Sequence, residues 1–88
     1  DAGAATALRK QNKSLLPAGV TKVSGEFERG DVVNIFDGKT GEKIACGISN
    51  YGADDVLAIK GARSDKIAGI IGREYGDEVV HRDNLVAL

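Results

Sequence analysis

Hydrophobic residues along the chain follow two different periods, which predict short strands near its centre and short helices around them. A β-branched and aromatic run between glycine-containing turns predicts a strand over residues 31–36. The run at residues 43–50 follows further turn signals, so we expect it to return antiparallel and complete a hairpin. In this second strand we expect Ile44, Cys46 and Ile48 to alternate on one apolar face. Gly47 is expected to mark a bulge or a close backbone approach.

Helical spacing and capping residues predict three helices. The first covers residues 1–11, and the second covers residues 54–61 with acidic residues in its first turn. The third covers residues 64–72, where we expect Ser64 to cap the start and Gly72 to close the end. Its apolar face consists of Ile67, Ile70 and Ile71.

Two further short strands are predicted, at residues 20–23 and at residues 79–83, and the second is expected to continue to residue 88 after a bend. The order of elements is therefore helix, three strands, two short helices and a strand. This order predicts a mixed, mainly β fold, a partly open barrel of short strands with flanking short helices.

Length and charge limit the classes of function that this chain can have. The 88 residues suit one domain with an aliphatic core, and the absence of Met favours a piece of a longer protein. A formal net charge of −1 lacks the basic excess of strong non-specific nucleic-acid binders. One cysteine allows no internal disulfide, and no apolar run is long enough to span a bilayer. These features predict a cytoplasmic module without a membrane partner.

The residue types that most often act as catalytic bases or nucleophiles, His and Cys, each occur once in this sequence. His81 and Cys46 are the only residues of their types, so they cannot form the usual four-ligand zinc site. We interpret His81 as structural and Cys46 as a small buried hydrophobic residue. The acidic pairs, Glu26/Glu28, Asp54/Asp55 and Asp77/Glu78, are interpreted as charges that are solvated or matched to a helix dipole. The sequence therefore predicts no catalytic residue, no metal and no cofactor in this chain.

Basic residues fall into two groups, which allow two interpretations. One group follows the first predicted helix, and the other surrounds the two later helices: Arg9, Lys10 and Lys13, and then Lys60, Arg63, Lys66 and Arg73. If both groups lay on one side of the fold, they would form a phosphate-facing patch. The alternative is an ordinary mixed-charge surface, because acidic residues are interspersed with the second group.

Several motifs resemble the PUA domain. They are Ser14-Leu15-Leu16-Pro17-Ala18-Gly19-Val20, Val23-x-Gly25-x-Phe27-x-x-Gly30-Asp31, Ile44-Ala45-x-Gly47 and Val80-His81-Arg82-Asp83-Asn84-Leu85-Val86. The first and last are most similar to the C-terminal PUA domains of bacterial glutamate 5-kinases. The resemblance implies a PUA domain over residues 1–88, built as a pseudo-barrel with helices at its sides. It also implies that the family's opening strand and an N-terminal amino-acid-kinase domain lie outside this sequence.

The resemblance implies a parent enzyme that transfers the ATP γ-phosphate to the side-chain carboxylate of glutamate, the first step of proline biosynthesis. In that family ATP, with magnesium, and glutamate are bound by the kinase domain. The resemblance therefore assigns this chain no catalytic residue. It implies instead a regulatory or assembly module whose partners are its own kinase domain and further copies of the enzyme. Such a role predicts an exposed apolar patch.

The alternative implied by the resemblance is recognition of structured RNA. PUA domains of RNA-modification enzymes use their first helix, the following turn and the last strand for this purpose. The corresponding RNA-facing or partner-facing residues are Arg9, Lys10, Lys13, Pro17, Gly19 and Arg82. This interpretation predicts a positive stripe and an affinity that falls steeply with salt.

Overall fold

A computed structural model describes residues 13–88 of the chain. Its β-structure is a three-stranded antiparallel sheet in the order β1-β2-β3, made of β1 (Val32–Phe36), β2 (Lys43–Ile48) and β3 (Leu85–Ala87). Two short helices, α1 (Ala53–Ile59) and α2 (Ile67–Ile71), lie between β2 and β3 in the sequence. Three 3₁₀ turns complete the described part: Pro17–Gly19, Ser64–Lys66 and Arg82–Asn84. The helix predicted for residues 1–11 lies outside the described residues.

The predicted hairpin of β1 and β2 is confirmed, but the predicted alternation in β2 is wrong. The register shifts between Ile35 and Phe36, because Ile35 pairs with Ala45 whereas Phe36 pairs with Lys43. Ile44 is thus the extra residue of a β-bulge, and both Ile44 and Ala45 are buried. Beyond the bulge the alternation has the opposite phase, so Cys46 is only partly buried and Ile48 is 40% exposed.

The close backbone approach predicted at Gly47 is confirmed. A Cβ atom at this position would lie 2.5 Å from the carbonyl oxygen of Asn84 and 2.6 Å from Cγ1 of Val80. Non-bonded heavy atoms do not approach so closely without displacing each other. Glycine therefore lets the segment that leads into β3 pack directly on the middle strand.

The strand predicted at residues 20–23 is wrong, and the last predicted strand is confirmed only after its bend, as β3. Residues 20–23 form no strand, and their valines pack partly buried against the core. In the last segment only Val80 pairs, in an isolated antiparallel bridge with Leu15, and a 3₁₀ turn then separates it from β3. The His81 side chain stabilises this turn, because its Nδ1 atom accepts a 3.1 Å hydrogen bond from the N–H of Asp83. Such local bonds compete with a strand ladder.

The two helices predicted after the hairpin are confirmed, and so is the residue that ends the second one. Gly72 closes α2 with φ at 77°, the left-handed conformation that glycine adopts without strain. The Ser64 hydroxyl donates to the carbonyl of Asp77 at 2.7 Å, so the predicted Ser64 cap is wrong. Ile67 is buried as predicted, but Ile70 is 46% exposed, so its predicted place on the buried apolar face is wrong. No helix within residues 13–88 is long and apolar enough to cross a membrane.

The core lies between the inner face of the sheet and the helices. Ile44, Ile59, Ile67 and Val80 are among its largest fully buried side chains. It is aliphatic as predicted, except that a complete tyrosine side chain, Tyr51, is also fully buried. Burial of this kind supplies the main stabilisation of a domain of this size.

Candidate interaction surfaces

Two of the predicted basic residues lie in segments that the fold joins. The N–H of Arg82 donates a 2.8 Å hydrogen bond to Oγ of Ser14, the residue after Lys13. The bridge between Leu15 and Val80 continues this contact. Lys13 and Arg82 are both exposed, so the structure gives two basic side chains on neighbouring segments. Arg9 and Lys10 lie outside the described residues, and an RNA-facing role for the set stays a prediction.

The predicted turn has a packing role at Pro17. Its side chain is fully buried, which excludes it as a direct side-chain contact for a partner. Its carbonyl accepts hydrogen bonds from the N–H groups of Val20 at 3.0 Å and Gly61 at 2.8 Å. Pro17 therefore ties the turn to the end of α1. Gly19 is partly buried, and partner contact at Gly19 stays a prediction.

Two of the later basic residues form ion pairs. Nη2 of Arg73 lies 2.5 Å from Oδ1 of Asp55, and its Nε donates to Oδ2 of the same carboxylate at 3.2 Å. This bidentate hydrogen bonding raises the pKa of the Arg73 guanidinium. Arg63 pairs with Asp65 at 3.2 Å. These pairs support the interpretation of this side as a mixed-charge surface.

Catalytic chemistry is not assembled in the described part of the chain. His81 uses Nδ1 to cap the 3₁₀ turn that follows it, which confirms its structural interpretation. Cys46 lies on the face of the sheet opposite the core and is partly buried, so its interpretation as a buried hydrophobic residue is wrong. Within residues 13–88 no group of three or more His, Cys, Asp or Glu side chains could hold a metal ion.

Tyr51 forms a polar centre that sequence reasoning missed. Its hydroxyl donates to the carbonyl of Gly76 at 2.6 Å and accepts a hydrogen bond from the N–H of Tyr75 at 2.8 Å. Burial raises the pKa of this hydroxyl. The Tyr75 ring lies 5.5 Å from that of Tyr51, and the guanidinium of Arg29 lies 4.0 Å above the Tyr75 ring. These contacts hold Tyr75 and Gly76, which follow α2, against Tyr51 after β2 and Arg29 before β1.

The face of the sheet turned away from the core carries the strongest candidate surface. We call it the outer face. It contains the outward-facing residues of the three strands: Val32, Asn34, Phe36, Lys43, Cys46, Ile48 and Val86. Val32 is 70% exposed and Val86 is 62% exposed. An antiparallel sheet with one solvated face normally places polar residues there.

The outer face was missed because its recognition depends on the bulge. A strict alternation through β2 assigns Ile44, Cys46 and Ile48 to one buried face. The register shift at Ile44 puts Cys46 and Ile48 on the opposite face instead. The signal that could have found it is the pair of consecutive apolar residues Ile44 and Ala45, which fits a bulge beside the turn.

Comparisons with known proteins identify the family. A family model described as "PUA domain" matches residues 1–71. The glutamate 5-kinase of Dictyoglomus thermophilum is 50% identical over 88 residues, which are 100% of this chain and 24% of that protein. The glutamate 5-kinase of Dictyoglomus turgidum is 52% identical over 86 residues, 98% of this chain and 23% of that protein.

A third relative gives the same result. The glutamate 5-kinase of Geobacter sulfurreducens is 50% identical over 88 residues, covering 100% of this chain and 23% of that protein. The chain thus spans about a quarter of the length of the curated relatives it matches. The mainly β architecture with flanking helices agrees with the family model. The chain belongs to the PUA domain family and matches the C-terminal part of glutamate 5-kinases.

Proposed function

We propose that this chain is a non-catalytic module of a glutamate 5-kinase and that it acts on the enzyme through protein contacts. The apolar outer face is the observation that carries this proposal. A regulatory or assembly module needs a surface that another part of the protein can cover, and apolar side chains exposed at Val32, Phe36 and Val86 supply one. The relatives are about four times longer than this chain, so a covering partner within one polypeptide has ample length.

The proposed division of labour assigns the chemistry to the rest of the enzyme. There ATP, with magnesium, donates its γ-phosphate to the side-chain carboxylate of glutamate. Phosphoryl transfer requires groups that position phosphates and neutralise developing charge. In the described part of the chain Arg63 and Arg73 are paired with carboxylates, Arg29 lies over the Tyr75 ring, and His81 caps a turn. A cytoplasmic location, where ATP and glutamate are available, belongs to the same proposal.

Removal of residues 1–88 from the longer polypeptide tests this function. We expect glutamate-dependent ADP formation to persist, while the oligomeric mass or the response to small-molecule effectors changes. Complete loss of catalysis by a folded remainder would overturn the non-catalytic assignment. An unchanged mass together with an unchanged effector response would overturn the regulatory one.

Recognition of structured RNA is a second candidate function. The observation in its favour is the hydrogen bond between Arg82 and Ser14, which joins the segments of the two exposed basic residues Lys13 and Arg82. Phosphate contacts by such residues release counterions, so RNA affinity should fall steeply with salt. The net charge of −1 favours the protein-contact proposal instead.

A salt-titrated binding assay with a structured RNA separates the two candidates. The test variant is Lys10→Glu combined with Lys13→Glu, and the matched control is Lys39→Glu in the turn between β1 and β2. Saturable binding that only the double variant abolishes would establish RNA recognition. The protein-contact proposal expects no saturable binding even at low salt.

A further inference from the structure

The outer face is organised in rows that cross the sheet. Asn34 pairs in register with Cys46, which pairs in turn with Val86, so these three residues form one row across all strands. Val32 pairs with Ile48 in the adjacent row. Side chains in register on one face of a sheet are direct neighbours. Val32, Ile48, Cys46 and Val86 are therefore contiguous, with Cys46 in the middle strand, whereas Asn34 separates Phe36 from Val32 along β1.

A charged residue lies at one end of this face. Lys43 pairs with Phe36 there and is exposed. A surface that covers the face would therefore be largely apolar, with an acidic group near Lys43.

The size of the face favours a partner within the same polypeptide. Strands of five, six and three residues form a face on the order of 200 Å². A stable complex between free proteins buries about 800 Å² per partner. A tethered partner needs less area, because a short linker gives an effective concentration in the millimolar range. The matched glutamate 5-kinases provide that tether, since about three quarters of their length lies outside the matched region.

We propose that the outer face docks onto the remaining part of the longer glutamate 5-kinase polypeptide, with Cys46 at the centre of the contact. This inference rests on the proposed function and specifies its surface. Docking would cover the row of Asn34, Cys46 and Val86. It would leave Leu57 on α1 exposed, since that helix packs against the opposite side of the sheet.

The native thiol of Cys46 provides the test. Alkylation of Cys46 by iodoacetamide is followed by peptide mass spectrometry in the isolated 88-residue chain and in the longer polypeptide. Alkylation requires access to the thiol, so we expect it to be about tenfold or more slower in the longer polypeptide. Val86→Asn places a neutral polar group beside Cys46 and should restore the rate found in the isolated chain. Leu57→Asn is the matched control and should keep the protection.

Each rate is compared with that of the same variant as an isolated chain, so differences in intrinsic thiol reactivity cancel. Equal rates for the wild-type thiol in both chains would overturn the proposal without any substitution. If alkylation of Cys46 in the isolated chain becomes slower as the protein concentration rises, the proposal is also overturned. A second copy of the chain would then be the partner that covers the outer face. If Cys46 is alkylated equally fast in both chains while removal of residues 1–88 alters assembly or effector response, the proposed function is retained. In that case only the assignment of the outer face as its docking surface is rejected.

Discussion

The hydroxyl of Tyr51 donates a 2.6 Å hydrogen bond to the carbonyl of Gly76. The same oxygen accepts the N–H of Tyr75 at 2.8 Å, so one phenol satisfies two backbone groups of the segment after α2. The Tyr51 side chain is fully buried. A buried polar group left without a partner costs far more than an average hydrogen bond contributes. This single oxygen atom therefore contributes two of the hydrogen bonds that position the segment.

Tyr51→Phe should destabilise the domain by about 1–3 kcal/mol, because it leaves the Gly76 carbonyl and the Tyr75 N–H without this partner. Urea unfolding followed by circular dichroism measures the change. Tyr75→Phe is the control, since the Tyr75 side chain is 41% exposed and solvent can replace contacts of its hydroxyl. Equal losses in both variants would contradict the special role of the Tyr51 hydroxyl.

Stability should fall in alkaline solution through the same residue. Burial, the largest cause, raises the pKa of Tyr51 above its ordinary value of 10.0, although the N–H of Tyr75 opposes the shift. The folded protein then binds this proton more tightly than the unfolded chain. The resulting stabilisation is fully present below pH 10.0 and is lost as the pH rises through the folded-state pKa. Urea midpoints measured across this range should decline less for Tyr51→Phe than for the wild type.

Gly47→Ala should destabilise the domain by about 1–3 kcal/mol, because its Cβ has no room between Asn84 and Val80. Gly69→Ala is a matched control within α2, where nothing lies within 4 Å of the added Cβ. Since alanine favours a helix over glycine, this control should gain up to about 1 kcal/mol. Thermal or urea unfolding checks both changes, and a neutral Gly47→Ala would contradict the close approach.

Asp55→Asn should lower the urea midpoint, because the bidentate partner of Arg73 loses its charge. Asp55 is only 15% exposed, so this pair is better shielded than the pair of Asp65 with Arg63. Asp65→Asn should leave the midpoint unchanged. The difference between the two variants should shrink in 1 M salt, where the Debye length is about 3 Å. A difference that persists unchanged in salt would show that packing, and not charge, explains the effect.

Local patterns predicted the elements whose signals agree with their packing. The β-branched run before Asp37 formed β1, and Gly72 ended α2 in the expected conformation. The predictions failed where a backbone or side-chain group forms a hydrogen bond with a residue that is distant in sequence. Ser64 bonds to the carbonyl of Asp77 instead of capping, and Ser14 accepts the Arg82 N–H at the turn that interrupts the last predicted strand.

By itself the sequence determined the family, the hairpin, the two later helices and the glycine that admits a close backbone contact. These follow from residue types and spacings that act within a few positions of the chain. Only the tertiary structure decided which face of β2 is buried, because the bulge at Ile44 depends on pairing with β1. It also decided that Pro17 is inside and Val86 is outside. Side-chain direction in a strand reverses with a shift of one residue, so the exposed apolar face depends on register, which is set across strands.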